Sequence, residues 1–325
     1  WGSADAIRVS GVAVEAVSLL RNGNDVTLAF AESVAGADDG GSIKIVSGLH
    51  NNNQVGVEQI LFDDGTVWTP QDLRDQLLTS TGANETFLGF SGNDTYRYSR
   101  GGGHDVIDET GVLWGSGDKL LLTDINAGEV SLSYSGIDLT ITIAESATGA
   151  GDGGSILVTQ TLDDRNDQGI ENILFADGNT WTRAQVRVLL LQQAATDGND
   201  TINGFNVADT IAGGLGDDLL KGWGGNDTYV YARGDGNDTI IEDSGNGATD
   251  QLIFSDVDTA DVQVAKVGSE LVLVISETSQ GAMDGGAGLL SGTYSGSYQE
   301  GIWMVVFAYG TQSSRNDLLT KVITL

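Results

Sequence analysis

The feature that most constrains this chain is a run of nine-residue units. From Gly204 the sequence divides into Gly-Phe-Asn-Val-Ala-Asp-Thr-Ile-Ala (204–212), Gly-Gly-Leu-Gly-Asp-Asp-Leu-Leu-Lys (213–221) and Gly-Trp-Gly-Gly-Asn-Asp-Thr-Tyr-Val (222–230). A turn before them ends in Asp200, with Gly198 two residues earlier and Ile202 two later. A turn after them ends in Asp238, with Gly236 and Ile240 placed likewise. The sixth position is always Asp: Asp200, Asp209, Asp218, Asp227 and Asp238. The eighth is always large and apolar: Ile202, Ile211, Leu220, Tyr229 and Ile240. The fourth is Gly198, Gly216, Gly225 or Gly236, with Val207 as the exception. In-phase repetition of this kind points to a stacked solenoid in which each turn leans on its neighbours.

The period carries its own physics. About six residues make a turn and about three a strand. Glycine lets the backbone curl so that carbonyl oxygens converge. The sixth-position Asp adds a carboxylate, and the eighth side chain points inward because strand residues alternate. Turns of this composition offer only oxygen, which suits calcium, a hard cation taking six to eight oxygens at about 2.3–2.6 Å. The alternative reading is a set of Gly-rich hairpins with solvated Asp residues.

These residues resemble the repeats-in-toxin, or haemolysin-type, calcium-binding repeats, with consensus Gly-Gly-x-Gly-x-Asp-x-apolar-x. The resemblance covers about 195–242, and a weaker stretch at 82–108. It implies a parallel β-roll in which the sixth-position Asp and the carbonyls of the second and fourth residues bind calcium. Turns two apart would share each ion: Asp200 with Asp218, Asp209 with Asp227, and Asp218 with Asp238. Gly214 is the second-position candidate. In the weaker stretch the candidates are Asp94 and Asp105, with Gly92 and Gly103 in fourth place. Its opening turn has Glu85 for Asp and Ala83 for Gly. The resemblance implies about four to seven ions in all. It also implies export by type I secretion and an extracellular or cell-surface location.

A longer repeat encloses the short one. Trp1 aligns with Trp114, Ala31-Glu32-Ser33 with Ala144-Glu145-Ser146, Asp39-Gly40-Gly41 with Asp152-Gly153-Gly154, and Trp68 with Trp181, all at an offset of 113. A degraded third copy starts at Asp250, at offset 132 from the second. There Tyr309 replaces Asp177 and Ser313 replaces Trp181. Atypical terminal repeats are expected of caps. The register begins mid-unit at Trp1, so the chain is expected to continue upstream. Each copy reads as antiparallel β (Val130, Leu132, Tyr134; Leu139, Ile141, Ile143) followed by one short helix. Thr182 with Gln185 makes a capping box, and Thr69 precedes Pro70 at the first helical position. Leu73 and Leu77, then Val186 and Leu190, supply an apolar face. The two Asp-Gly-Gly segments read as plain hairpins, and Trp68 and Trp181 as core.

The expected fold is all-β dominated, with parallel β-roll stacks alternating with small antiparallel β modules that each carry one short helix. Five segments follow: a β-plus-helix module (1–81), a short calcium roll (82–111), a second module (112–194), a calcium roll (195–245) and a degenerate cap (246–325). The last residues, from Asp317 to Leu325, read as part of a secretion signal or as a closing strand.

Composition narrows the partners. With 46 acidic against 15 basic residues the formal charge is −31, which repels nucleic acid. No apolar run approaches the length of a membrane span. There is no Cys, so disulfides and thiolate metal sites are excluded. The two histidines are His50, in a polar loop beside Asn51, Asn52 and Asn53, and His104, in a variable turn slot. Neither Gly-x-Ser-x-Gly nor His-Glu-x-x-His occurs. The chain is read as a non-enzymatic, structural or adhesive part of a larger exported protein. The alternative is a carbohydrate-binding or targeting module of a secreted enzyme, with a polysaccharide lyase or epimerase as a further option. Candidate partners are a glycan, a cell surface or a second copy. Trp223, Trp303 and Tyr309 are candidate contact residues.

Overall fold

In the computed structural model, residues 5–49, 56–110, 117–164, 168–242, 249–268, 270–291 and 301–322 are described. Trp1, His50, Asn51, Asn52, Asn53, Trp114 and Leu325 lie outside them. Strands predominate, with three α-helices among the described residues: α1 (Pro70–Leu77), α2 (Arg183–Ala194) and α3 (Arg315–Thr320). The chain forms two compact units. One comprises residues 1–132, 138–160 and 167–180; the other comprises 133–137, 161–166 and 181–325.

The second unit is built on the nonapeptides. Thr201–Asn203, Leu219–Lys221, Asn237–Ile241 and Gly286–Ser291 pair in parallel as one sheet. Thr210–Ala212, Thr228–Tyr231, Gln251–Phe254 and Met304–Val306 pair in parallel as the other. Register aligns Ile202, Leu220, Ile240 and Leu290 in one row. It aligns Ile211, Tyr229, Leu252 and Val305 in a second. All eight are at most 3% exposed, so the two rows form the roll's interior. The ladders run on past residue 245 into the third copy, which ends each sheet with antiparallel strands. These are Glu270–Ile275 and Val262–Val267 in one sheet and Gln312–Ser314 in the other.

At the other end of this unit α2 packs on the first two strands of the roll. Its Thr182–Gln185 capping box is formed, and Val186, Leu190 and Leu191 are buried. Arg183 and Arg187 are also buried, and both bind Asp164, at 3.1 and 2.8 Å. Trp181, read as core, is only half-buried; it borders a shallow surface depression with Val188 and Leu189. The terminal segment also differs from a closing strand. Ser314 caps α3 through a box with Asp317, and Leu318 buries its side chain.

The first unit repeats the plan on a smaller scale. Thr86–Leu88, Gly103–Asp108 and Gly154–Val158 are parallel neighbours, as are Thr95–Tyr98, Lys119–Leu122 and Asn172–Leu174. Its N-terminal module is an antiparallel meander of Val17–Asn22, Asp25–Phe30 and Gly41–Ile45. Beside it, α1 carries the Thr69–Asp72 box with Pro70 at its start. Trp68 is buried edge-on to Phe62, with ring centroids 4.7 Å apart.

The Asp-Gly-Gly segments lie in hairpins. Each closes a ten-residue connection between antiparallel strands, 31–40 and 144–153. Asp152 fastens the second by accepting from the Ser146 N–H at 2.9 Å and the Ser146 hydroxyl at 2.5 Å. Gly154 then enters the parallel ladder opposite Gly103. A side chain there would collide with the Tyr98 hydroxyl at 2.1 Å.

Candidate metal centre

The sixth-position carboxylates stand in columns. In the second unit Asp218 Oδ1 accepts the Asp200 N–H at 2.8 Å, and Asp238 Oδ1 accepts the Asp218 N–H at 3.1 Å. On the other edge Asp227 Oδ1 accepts from Asp209 N, and Asp250 Oδ1 from Asp227 N, both at 2.9 Å. The first unit holds shorter columns. Asp105 Oδ1 accepts from Glu85 N at 2.9 Å; Asp118 Oδ1 accepts from Asp94 N, and Glu171 Oε2 from Asp118 N. Each carboxylate thus ties its turn to the turn two before it.

The fourth-position glycines make this stacking possible. A Cβ on Gly216 would stand 2.6 Å from the Gly198 carbonyl carbon. On Gly225 it would stand 2.2 Å from Val207 O, on Gly236 1.9 Å from Gly216 O, and on Gly103 2.4 Å from Ala83 O. Gly214, in second place, would meet Thr196 O at 2.6 Å. Gly92 has a positive φ of 104°. A Cβ on Gly198 itself would make only an ordinary contact, 3.8 Å from Thr196 Oγ1; its carbonyl is what lies under Gly216.

The turns are of two kinds, set by the second residue. Where that residue has negative φ, its N–H closes onto the free carboxylate oxygen of its own turn. Thr196 N donates to Asp200 Oδ2 at 2.6 Å, Phe205 N to Asp209 Oδ2 at 2.5 Å, and Phe90 N to Asp94 Oδ2 at 2.6 Å. Gly101, Gly214, Trp223 and Gly234 instead hold positive φ at second place, between 68° and 92°. In three of those turns, Asp105 Oδ2, Asp218 Oδ2 and Asp227 Oδ2 are buried without a hydrogen-bond partner among the described residues. An orphaned buried carboxylate oxygen is costly unless a cation or proton satisfies it.

Burial shapes the electrostatics. It pushes Asp94 and Asp209 up to about 6, and Asp227 and Asp238 up to about 7. Neighbouring carboxylates add to the rise at Asp94, Asp227 and Asp238. Asp105 and Asp218 are also raised, chiefly by burial. Such groups ionise readily only beside a cation.

Sequence reasoning missed four carboxylates. Glu109 and Asp118 lie with Asp94, and Glu242 and Asp250 with Asp227; in each trio one oxygen per residue falls within 4.8 Å of the others. Tyr96 donates to Glu109 Oε1, and Tyr229 to Glu242 Oε1. Burial pushes Glu109 up to about 8. The signal was available in the long repeat: Asp94, Tyr96 and Glu109 recur as Asp227, Tyr229 and Glu242 at offset 133.

These residues fit calcium. The donors are all oxygen, three carboxylate oxygens are buried and unpartnered among the described residues, and the glycines bring backbone carbonyls together at the same edges. Of the remaining candidates, His104 is exposed with Nδ1 2.9 Å from Ser155 Oγ, and Tyr309 is 95% exposed.

Residues 34–72 match the haemolysin-type calcium binding protein related domain. No curated protein matches the chain in sequence. Among solved structures it is similar to the extracellular lipase LipA from Serratia marcescens, at 16% identity over 75% of this chain and a TM-score of 0.22. The chain spans 39% of that lipase chain. In its Gly-Asp nonapeptides and in the domain matched at 34–72, this chain is similar to the haemolysin-type calcium-binding proteins.

Proposed function

We propose that the chain is a non-catalytic, exported structural segment whose β-rolls fold when calcium fills their edges. The observation that carries this reading is the buried, unpartnered Oδ2 of Asp218 in the middle of the Asp200–Asp218–Asp238 column. Calcium would be held by those three carboxylates, by Asp209 and Asp227, and by Asp94 and Asp105, with carbonyls from the glycine-rich turns. Extracellular calcium modules bind at about 10⁻⁴–10⁻³ M, so the roll would stay loose in calcium-poor cytosol and set outside. At ten times the dissociation constant each site adds about 1.4 kcal/mol, and several sites together approach the stability of a domain. Passage through a type I secretion channel suits a chain that folds only after export. The tandem copies suit an adhesive or spacer role in a larger protein.

A second reading, a carbohydrate-binding module, is favoured by one cleft. Tyr134, Phe205 and Trp223 line it with the amides of Asn203 and Asn206, and its volume is about 420 Å³. Aromatic faces beside amides suit a sugar ring.

The test is a calcium titration of the chain followed by circular dichroism and calorimetry, with magnesium as control. The proposal expects β signal to rise between sub-millimolar and millimolar calcium, to reverse with chelator and to be absent with magnesium. A chain fully folded in chelator, with no heat of binding, overturns it.

A further inference from the structure

Asp227, Glu242 and Asp250 meet where the regular nonapeptides end. One carboxylate oxygen from each lies within 4.8 Å of the other two, and all three residues are buried. Oxygens on opposite sides of a calcium ion stand about 4.6–5.2 Å apart, twice the usual bond length, so this spread suits that ion.

A second observation points into the same space. Asp227 is 1% exposed; its Oδ1 accepts the Asp209 N–H, while its Oδ2 has no hydrogen-bond partner among the described residues. A Cβ on Gly222 would stand 2.3 Å from that Oδ2 and 2.6 Å from the Tyr229 hydroxyl. The same hydroxyl donates to Glu242 Oε1 at 2.5 Å. The free oxygen of Asp227 and the Glu242 carboxylate therefore flank the bare α-carbon of Gly222.

The free oxygen has a local cause. Trp223 holds φ at 68°, which turns its N–H away from the carboxylate. In the first unit the equivalent trio is Asp94, Glu109 and Asp118, and Phe90 stands in Trp223's place. Phe90 donates its N–H to Asp94 Oδ2 at 2.6 Å, so that cluster is closed by the chain's own amide.

We infer that Asp227, Glu242 and Asp250 form a calcium site in which Glu242, a residue outside the nine-residue phase, supplies a third carboxylate. The strand Asn237–Ile241 delivers Glu242 to this edge. Tyr229 orients the Glu242 carboxylate by donating to its Oε1. The choice of ion rests on the calcium reading of the roll.

The deciding experiment is a crystal structure of the whole chain grown with calcium, with anomalous difference density recorded at long wavelength. The inference expects a peak bounded by Asp227, Glu242 and Asp250. Peaks along the Asp200–Asp218–Asp238 column with none at the trio overturn this site alone. A map without peaks at any edge overturns the calcium reading of the roll as well. In solution, equilibrium dialysis against calcium should show one ion fewer for Glu242→Gln, with the count unchanged for Glu277→Gln, at an exposed loop residue outside both trios. Equal counts for the parent chain and Glu242→Gln also overturn it.

Discussion

The carboxylate of Asp218 accepts the backbone N–H of Asp200 at 2.8 Å, so the side chain that lines the edge of the roll also ties one turn to the turn two before it. On the proposed calcium reading, structure and ligand chemistry therefore share one residue. Asp218→Asn keeps an acceptor for the Asp200 N–H but removes the charge and half of the oxygen donors. We expect the calcium midpoint of folding to rise about tenfold, equivalent to about 1.4 kcal/mol. Circular dichroism during a calcium titration reads it. Asp217→Asn, at the neighbouring exposed position, is the comparison and should shift the midpoint by less than about twofold. Equal shifts for the two variants would mean that only net charge matters.

Gly236 and Gly234 both hold positive φ, 120° and 92°, but only Gly236 is crowded. A Cβ there would stand 1.9 Å from Gly216 O, whereas nothing lies within 4 Å of one at Gly234. Gly234→Ala should therefore cost only the left-handed backbone strain, about 1–2 kcal/mol. Gly236→Ala must also force two turns apart and should cost about 3 kcal/mol or more. Thermal unfolding in saturating calcium separates them, and similar melting temperatures would refute the stacking account.

Much of this was legible in the residues because it is local or periodic. The inward row of Ile202, Leu220 and Ile240 follows from the nine-residue phase, and the boxes at Thr69 and Thr182 follow from capping chemistry. What escaped depends on distant partners. Leu290 and Val305 join the ladders from a copy whose Gly-Asp period is lost. Glu109 and Glu242 sit outside the phase, so counting by nines passes over them. The left-handed backbone of Trp223 costs energy in isolation, and only its tertiary setting holds it there.

Leu220 lies in the middle of the interior row, 1% exposed, between Ile202 and Ile240. Leu215, in the same nonapeptide, is 49% exposed. Leu220→Ala should cost about 2–5 kcal/mol, because neighbouring turns cannot collapse into the void without breaking register. Leu215→Ala should stay within about 0.5 kcal/mol. Denaturant unfolding in calcium measures both. A small effect at Leu220 would show that ions, and not the apolar rows, hold the turns together.

The buried carboxylates set the direction of the pH dependence. Asp227 and Asp238 are raised to about 7 and Glu109 to about 8, above ordinary carboxylate values near 4. A folded chain without calcium then holds protons that the unfolded chain has released. Its stability must fall as pH rises from about 4 through about 8, because the folded state binds more protons over that window. Calcium favours the ionised carboxylates and reverses the trend. In chelator, β structure should weaken between pH 5 and pH 8; in calcium it should persist, and binding at pH 6 should release protons. Circular dichroism with and without chelator, together with calorimetry in buffers of different ionisation heat, measures each part. A chelated chain that gains structure as pH rises would mean that these carboxylates are not buried without the ion, and that the roll assembles only around it.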